Sequence, residues 1–177
     1  MAGIVFPHLY RDSSAGRWKY HWTEDPRKHN RRFQLLGAPE SSRGGVPLET
    51  VKGWEREGII EYLGVTRDVR PYVGQANVVV LPSWREGLPC SLMEAMSMGR
   101  PIVATDVPGC RDVVVDGKNG FLVPVRTPEA LAKALESFLE DSALTARMGK
   151  EGRFIAETEL DARKAADLIL SVMKLVS

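Results

Sequence analysis

The 177-residue sequence predicts an α/β fold, a mostly parallel sheet with helices on both faces. Two observations carry this. From Arg32 onward, short apolar runs alternate with stretches of helical periodicity, which is the pattern of successive βα units. One run, Val78-Val79-Val80-Leu81, is continuously apolar and rich in β-branched residues, as a central strand covered on both faces must be. The length suits one domain with a sizeable core.

Taken in order, strands are expected at residues 33–36, 59–63, 78–81, 101–105 and 121–123, with a further short one possible at 3–6. Between them, Leu48, Val51 and Trp54 recur at helical spacing, and shorter helices are expected over 68–76 and 89–99, the second closing on glycine. Thr127-Pro128 has the form of an N-cap followed by proline in the first turn, and Leu131, Ala134, Leu135, Phe138 and Leu139 then hold one face apolar. A last helix is expected from about Asp161, with Ala162, Ala165, Ala166, Ile169, Val172 and Met173 along one stripe. Asp116-Gly117 and Asn119-Gly120 read as turns, glycine or asparagine supplying positive φ, with no chemistry assigned to them.

Composition removes several function classes. At 44% hydrophobic and 27% charged residues the chain is ordinary for a soluble protein, and no apolar run approaches the ~20 residues of a membrane span. The start lacks a secretory pattern, so a cytoplasmic chain is expected. Cys90 and Cys110 have no partners at metal-ligand spacing, and His8, His21 and His29 all lie away from the motifs, so no metal site is expected. Residues 1–32 carry seven Arg/Lys against three Asp/Glu, leaving 17 against 20 for the rest. That basic start, with Trp18, Tyr20 and Trp22, is read as a solvated or poorly ordered arm rather than a surface for nucleic acid or anionic lipid.

The chemistry concentrates between Pro82 and Glu94. Here the end of the buried strand runs through Pro82-Ser83-Trp84-Arg85-Glu86-Gly87-Leu88 into a helix opened by Pro89. Ligands of open α/β sheets bind at this strand edge. Gly87 lets backbone approach a ligand closely, and Pro89 suits the first helical turn because it has no N–H to leave unpaired. The helix mouth then offers free N–H groups and the dipole to a phosphate or diphosphate. Glu86 and Glu94 bracket that mouth. Repelled by a diphosphate, they suit neutral sugar hydroxyls, and a nucleotide sugar presents hydroxyls on either side of its diphosphate. A glycoside hydrolase pair is disfavoured: its carboxyls stand about 5–9.5 Å apart, whereas eight helical residues span ~12 Å. Two glutamates flanking a helix can also be plain solvated charges; Pro-Ser before them and Gly-Leu-Pro between set this pair apart.

The pattern Pro-Ser-x-x-Glu-Gly-Leu-Pro-x-x-x-x-Glu-Ala-Met resembles the signature of the family 4 retaining glycosyltransferases of the GT-B fold. The resemblance continues through Gly99-Arg100-Pro101 to Val113-Val114 and Asp116-Gly117 to Val123-Pro124, and upstream to Ile60-Glu61-Tyr62-Leu63-Gly64 and Phe33-Gln34-Leu35-Leu36-Gly37. It implies a Rossmann-like doubly wound parallel sheet, the C-terminal, donor-binding half of such an enzyme. By the same resemblance Glu94 would hold the ribose hydroxyls and Glu86, as the catalytic-site carboxylate, those of the transferred sugar. Gly87 and Leu88 would offer backbone N–H groups to the diphosphate, Ser83 and Pro89 would belong to the same donor site, and Thr66 and Val69 would flank the base. The reaction it implies is front-face transfer, in which the leaving diphosphate helps take the acceptor proton, with no protein nucleophile, cofactor or metal. The wording around Trp54 and Ile60-Glu61-Tyr62-Leu63-Gly64 resembles bacterial enzymes that build lipid-linked polysaccharide or lipopolysaccharide from UDP-sugars. The implied partners are a nucleotide-sugar donor, a lipid-linked or other saccharide acceptor at the inner face of the membrane, and a separately encoded N-terminal acceptor domain.

The resemblance stops at about Arg32. Such domains open with a strand, an Arg–Lys clamp for the diphosphate and an amphipathic helix. Ala15-Gly16-Arg17 matches faintly and residues 18–30 do not, which leaves Arg85 as the nearby cation. The division expected is therefore an atypical arm, 1–32, produced by a shifted frame or gene truncation, and a nucleotide-sugar-binding domain, 33–177. The competing functions are a non-catalytic nucleotide-sugar-binding or assembly module and, far behind, a receiver-type phosphate-binding domain, which would need an acidic cluster at the strand ends.

Overall fold

The computed structural model describes residues 3–4, 9–11, 18–20, 33–39, 46–160 and 171, the first three segments as backbone. In chain order the elements are β1 (Gly3–Ile4), β2 (Leu9–Arg11), β3 (Trp18–Tyr20), β4 (Gln34–Leu36), α1 (Leu48–Arg56), β5 (Glu61–Gly64), α2 (Arg70–Val73) and β6 (Val79–Leu81). They continue with α3 (Cys90–Ser97), β7 (Ile102–Thr105), α4 (Pro108–Arg111), β8 (Gly120–Val123), α5 (Pro128–Glu140) and α6 (Ser142–Glu159).

One six-stranded sheet has the order β5-β4-β1-β6-β7-β8, and β2 pairs with β3 apart from it. β4 runs parallel to β5, and β6, β7 and β8 run parallel to one another, Val80 lying opposite Val103 and Val103 opposite Phe121. A mostly parallel sheet is the one expected. The departure is β1, which joins the two halves antiparallel to both neighbours, Gly3 opposite Leu35 and Val80. The facing edges of β4 and β6 need partners for their N–H and C=O groups, and a two-residue segment can supply them in either direction.

Side chains alternate across the central strands, as pleating requires. Val79, Leu81, Ile102 and Ala104 enter a core with Leu92, Ala95 and Met96 of α3, Cys110 of α4 and Ile155 of α6. Val78, Val80 and Val103 enter a second core with Leu135 and Phe138 of α5 and Met148 of α6. Helix α6 therefore bridges the two.

The five sequence-predicted strands from 33 to 123 are present, with ends shifted by up to two residues. The 68–76 helix shrinks to the single turn of α2. Thr127 does stand at the N-cap of α5, but its hydroxyl donates to the Val125 carbonyl at 3.2 Å and makes no capping bond. Of the turn residues, Gly117 has φ 75°, whereas Asn119 and Gly120 are not in the positive-φ region. Asn119 is instead fully buried, accepting from the Val115 amide at 2.8 Å and donating to the Val113 carbonyl at 3.0 Å. The helix expected over 161–173 lies outside the described residues except for residue 171. Among the described residues, no helix is long and apolar enough to cross a membrane.

Candidate functional site

The loop after β6 is the candidate site. It is pinned at its start by β7: the buried Thr105 hydroxyl donates to the Ser83 carbonyl and lies 3.5 Å from that of Leu81. It is backed at its middle by α4, where Gly109 lies against the Glu86–Gly87 backbone. Cys110 follows, fully buried, its thiol pushed up to about 11 by burial and by the nearby negative charges of Glu86 and Asp106. Asp106 is itself held low by Arg111, whose Nε donates to it at 2.5 Å.

Pro89 is the N-cap of α3, one position earlier than expected, and no side chain caps the helix. The Leu92 amide turns back to the Pro89 carbonyl at 3.0 Å, while the Cys90 and Ser91 amides find no acceptor among the described residues. The Gly87 and Leu88 amides are equally open. The motif thus leaves a row of exposed donors at a helix N-terminus, the arrangement that suits an anion. Leu88 itself is exposed and contributes backbone, not core.

An open cleft of about 710 Å³ runs from this mouth along α3 to the turn after β5. Glu94, Cys90, Met93 and Ser97 form one wall, Arg67, Asp68, Val69 and Arg70 the other. The Glu94 carboxylate is exposed and has no partner among the described residues, and neither has the Arg67 guanidinium. Arg70 is engaged with Asp68, its Nε and Nη2 donating at 2.8 and 2.9 Å, which raises its basicity and lowers the Asp68 carboxyl. The Thr66 hydroxyl donates to the Asp68 carbonyl at 3.0 Å and receives the Asp68 amide at 3.1 Å, so it shapes the turn.

The structure brings Glu94 and Val69 to one cleft with Cys90. It does not bring Glu86 there. Glu86 is half-buried and close enough to Cys110 for its charge to act on that thiol, and it does not line the smaller hollow at the ends of β6 to β8, which Trp84, Thr105 and Arg126 line. Arg126 lies 4.5 Å from the centre of the Trp84 ring, a cation–π distance. Thr105, Gly109, Arg67 and the Trp84–Arg126 pair were not found from sequence. Only Gly109 had a signal, its place in Val107-Pro108-Gly109 beside the motif.

With this geometry in place, comparison with known proteins is informative. The family profile described as glycosyl transferases group 1 matches residues 22–141, beginning inside the 1–32 segment. D-inositol 3-phosphate glycosyltransferase of Streptomyces avermitilis is 34% identical over 79% of this chain and 32% of its own length. N,N'-diacetylbacillosaminyl-diphospho-undecaprenol alpha-1,3-N-acetylgalactosaminyltransferase of Campylobacter jejuni is 28% identical over 70% of this chain and 32% of its own. Anabaena HepE, solved in complex with UDP, superimposes with a TM-score of 0.66 at 25% identity, covering 71% of this chain and 36% of that one. The chain spans about a third of the length of the curated relatives it matches. Its α/β fold, its Glu86-to-Glu94 motif and a profile match over most of its length place the chain in the group 1 glycosyl transferases.

Proposed function

We propose that this chain is the donor-binding half of a retaining glycosyltransferase that moves a sugar from a UDP-linked donor to a lipid-linked saccharide acceptor. The observation that carries the reading is one cleft in which the unpartnered Glu94 carboxylate stands beside the uncapped N-terminus of α3. A carboxylate accepts hydrogen bonds from the paired hydroxyls of a ribose, and open amides donate to a diphosphate. In this reading Glu94 holds the ribose and the turn bearing Thr66 and Val69 flanks the base. The amides of Gly87, Leu88 and Cys90 take the diphosphate, with Ser83 and Pro89 shaping the loop. Glu86, on the other side of the mouth, receives the hydroxyls of the transferred sugar. UDP in the HepE structure supports the nucleotide, and the diphospho-undecaprenol saccharide in the name of the Campylobacter relative supports the acceptor.

The acceptor reading puts the chain at the cytoplasmic face of a membrane. Residues 1–32, of which the family profile takes in only 22–32, form an arm atypical of the family in this proposal, a view supported by the antiparallel two-residue β1 at the centre of an otherwise parallel sheet. Translating the encoding DNA in its other frames tests it: an Arg–Lys clamp after a strand pattern should appear, and its absence removes the idea.

Calorimetric titration tests the donor site. UDP and UDP-sugars should bind the unaltered chain, and Glu94→Ala should weaken them about tenfold or more, the value of one or two hydrogen bonds to a charged group. No binding to the unaltered chain would remove the donor reading. Transfer to a lipid-diphosphate acceptor, assayed with and without an acceptor domain of the family supplied in trans, separates an enzyme half from a non-catalytic module. The metal-free mechanism implied by the resemblance requires that transfer be unaffected by a chelator.

A further inference from the structure

The loop that carries Glu86 and Gly87 is shaped from behind by a glycine of the next βα unit. A Cβ placed on Gly109 would stand 1.7 Å from the Gly87 carbonyl oxygen, 2.6 Å from its carbon and 2.8 Å from the Glu86 carbonyl oxygen. Gly109 is not in the positive-φ region, so space alone demands glycine there. The atoms it makes room for are backbone, which cannot swing aside as a side chain does. Both carbonyl oxygens therefore lie on the α4 side of the loop.

In a trans peptide the C=O and N–H of one linkage point in opposite directions, and no cis bond occurs among the described residues. The amides sharing those two linkages belong to Gly87 and Leu88. They face away from α4, and neither has an acceptor among the described residues. Two successive N–H groups on one side of a loop make an anion-binding concavity. The buried Thr105 hydroxyl, holding the Ser83 carbonyl, keeps the loop from relaxing at its start.

We propose that Gly109 is a positioning residue for the donor diphosphate: by admitting two carbonyls against its bare Cα it turns the Gly87 and Leu88 amides toward the ligand. The proposal rests on the donor-site reading above. Any side chain at 109 pushes the two peptide planes out of place and spoils the diphosphate contacts, while the nucleoside contacts along α3 stay as they are. Gly109 touches no ligand itself.

The test compares UDP with uridine, a probe without the diphosphate, on the unaltered chain, Gly109→Ala and Gly149→Ala. The last is a matched control whose Cβ would meet the Gly99 carbonyl oxygen at 2.3 Å, a backbone clash between α6 and the turn after α3. Gly109→Ala should lower UDP affinity about tenfold or more and leave uridine affinity within about twofold, the size expected for weakened charge-assisted bonds. Gly149→Ala should lose thermal stability and keep the UDP-to-uridine affinity ratio. A ratio unchanged in Gly109→Ala, or lowered equally in both variants, overturns the proposal. Absence of UDP binding by the unaltered chain is a different result, which overturns the donor-site reading and this proposal with it. Should Gly109→Ala not fold, amide spectra of the ¹⁵N-labelled unaltered chain decide: the Gly87 and Leu88 resonances should move with UDP and stay with uridine, and their failure to move with UDP overturns the proposal.

Discussion

Thr105 donates one hydroxyl proton from a buried position to the loop that carries the site, so its removal is felt on both stability and shape. Thr105→Val keeps the volume, leaves the Ser83 carbonyl without this donor, and should cost about 1–3 kcal/mol in denaturant unfolding. Cys110 makes a second prediction at this scale. Its thiol titrates near 11 in the folded chain against an ordinary 9.0, so between those values the unfolded chain has released a proton that the folded chain keeps. Unfolding is then favoured as pH rises, and the stability present below pH 9 should fall by up to about 2–3 kcal/mol by pH 11. Alkaline unfolding curves of the chain and of Cys110→Ala should converge across that window; parallel curves would count against it. In the native chain at neutral pH a thiol reagent should label exposed Cys90 and spare Cys110.

The elements show where local pattern misled. Helix α6 was not anticipated over 142–159, because Thr145, Gly149 and Gly152 lower its helical propensity and break the apolar stripe. Only one of those glycines answers to a neighbour. A Cβ at Gly149 would strike the Gly99 carbonyl oxygen, whereas one at Gly152 would sit 3.5 Å from Asn119 and Met96 side-chain atoms, ordinary contact. Gly149→Ala should therefore destabilise by about 2–3 kcal/mol through overpacking. Gly152→Ala should be neutral or stabilise by up to about 1 kcal/mol through helix propensity. Thermal melts of the two variants separate these outcomes, and equal losses would show that both glycines serve close packing. Helix α3 was legible because Pro89 opens it and Gly99, at φ 65°, closes it, both local signals.

In the whole molecule the two cores have unequal stakes in the site. Phe138, on the α5 face and 5.1 Å from Phe121 centroid to centroid, supports the sheet from the side away from α3. Leu92 lies under α3, two residues before Glu94. Both Phe138→Ala and Leu92→Ala should cost about 2–5 kcal/mol, the range for emptied core positions. Only Leu92→Ala should also weaken UDP binding by the folded protein, since it lets the helix carrying Glu94 shift. Calorimetry under conditions where both variants remain folded checks this, and equal affinities would sink the distinction.

The sequence by itself determined the βα alternation, the strand that carries the site, the two carboxylates and the helix mouth between them, because each depends on periodicity or on residues adjacent in the chain. Tertiary structure alone decided that Glu94 shares a cleft with Arg67 and Val69 while Glu86 lies near Cys110, that Thr105 and Gly109 shape the loop, and that β1 enters the sheet antiparallel. These depend on contacts between units far apart in sequence, where a missing Cβ or a single hydroxyl is decisive and leaves no periodic trace.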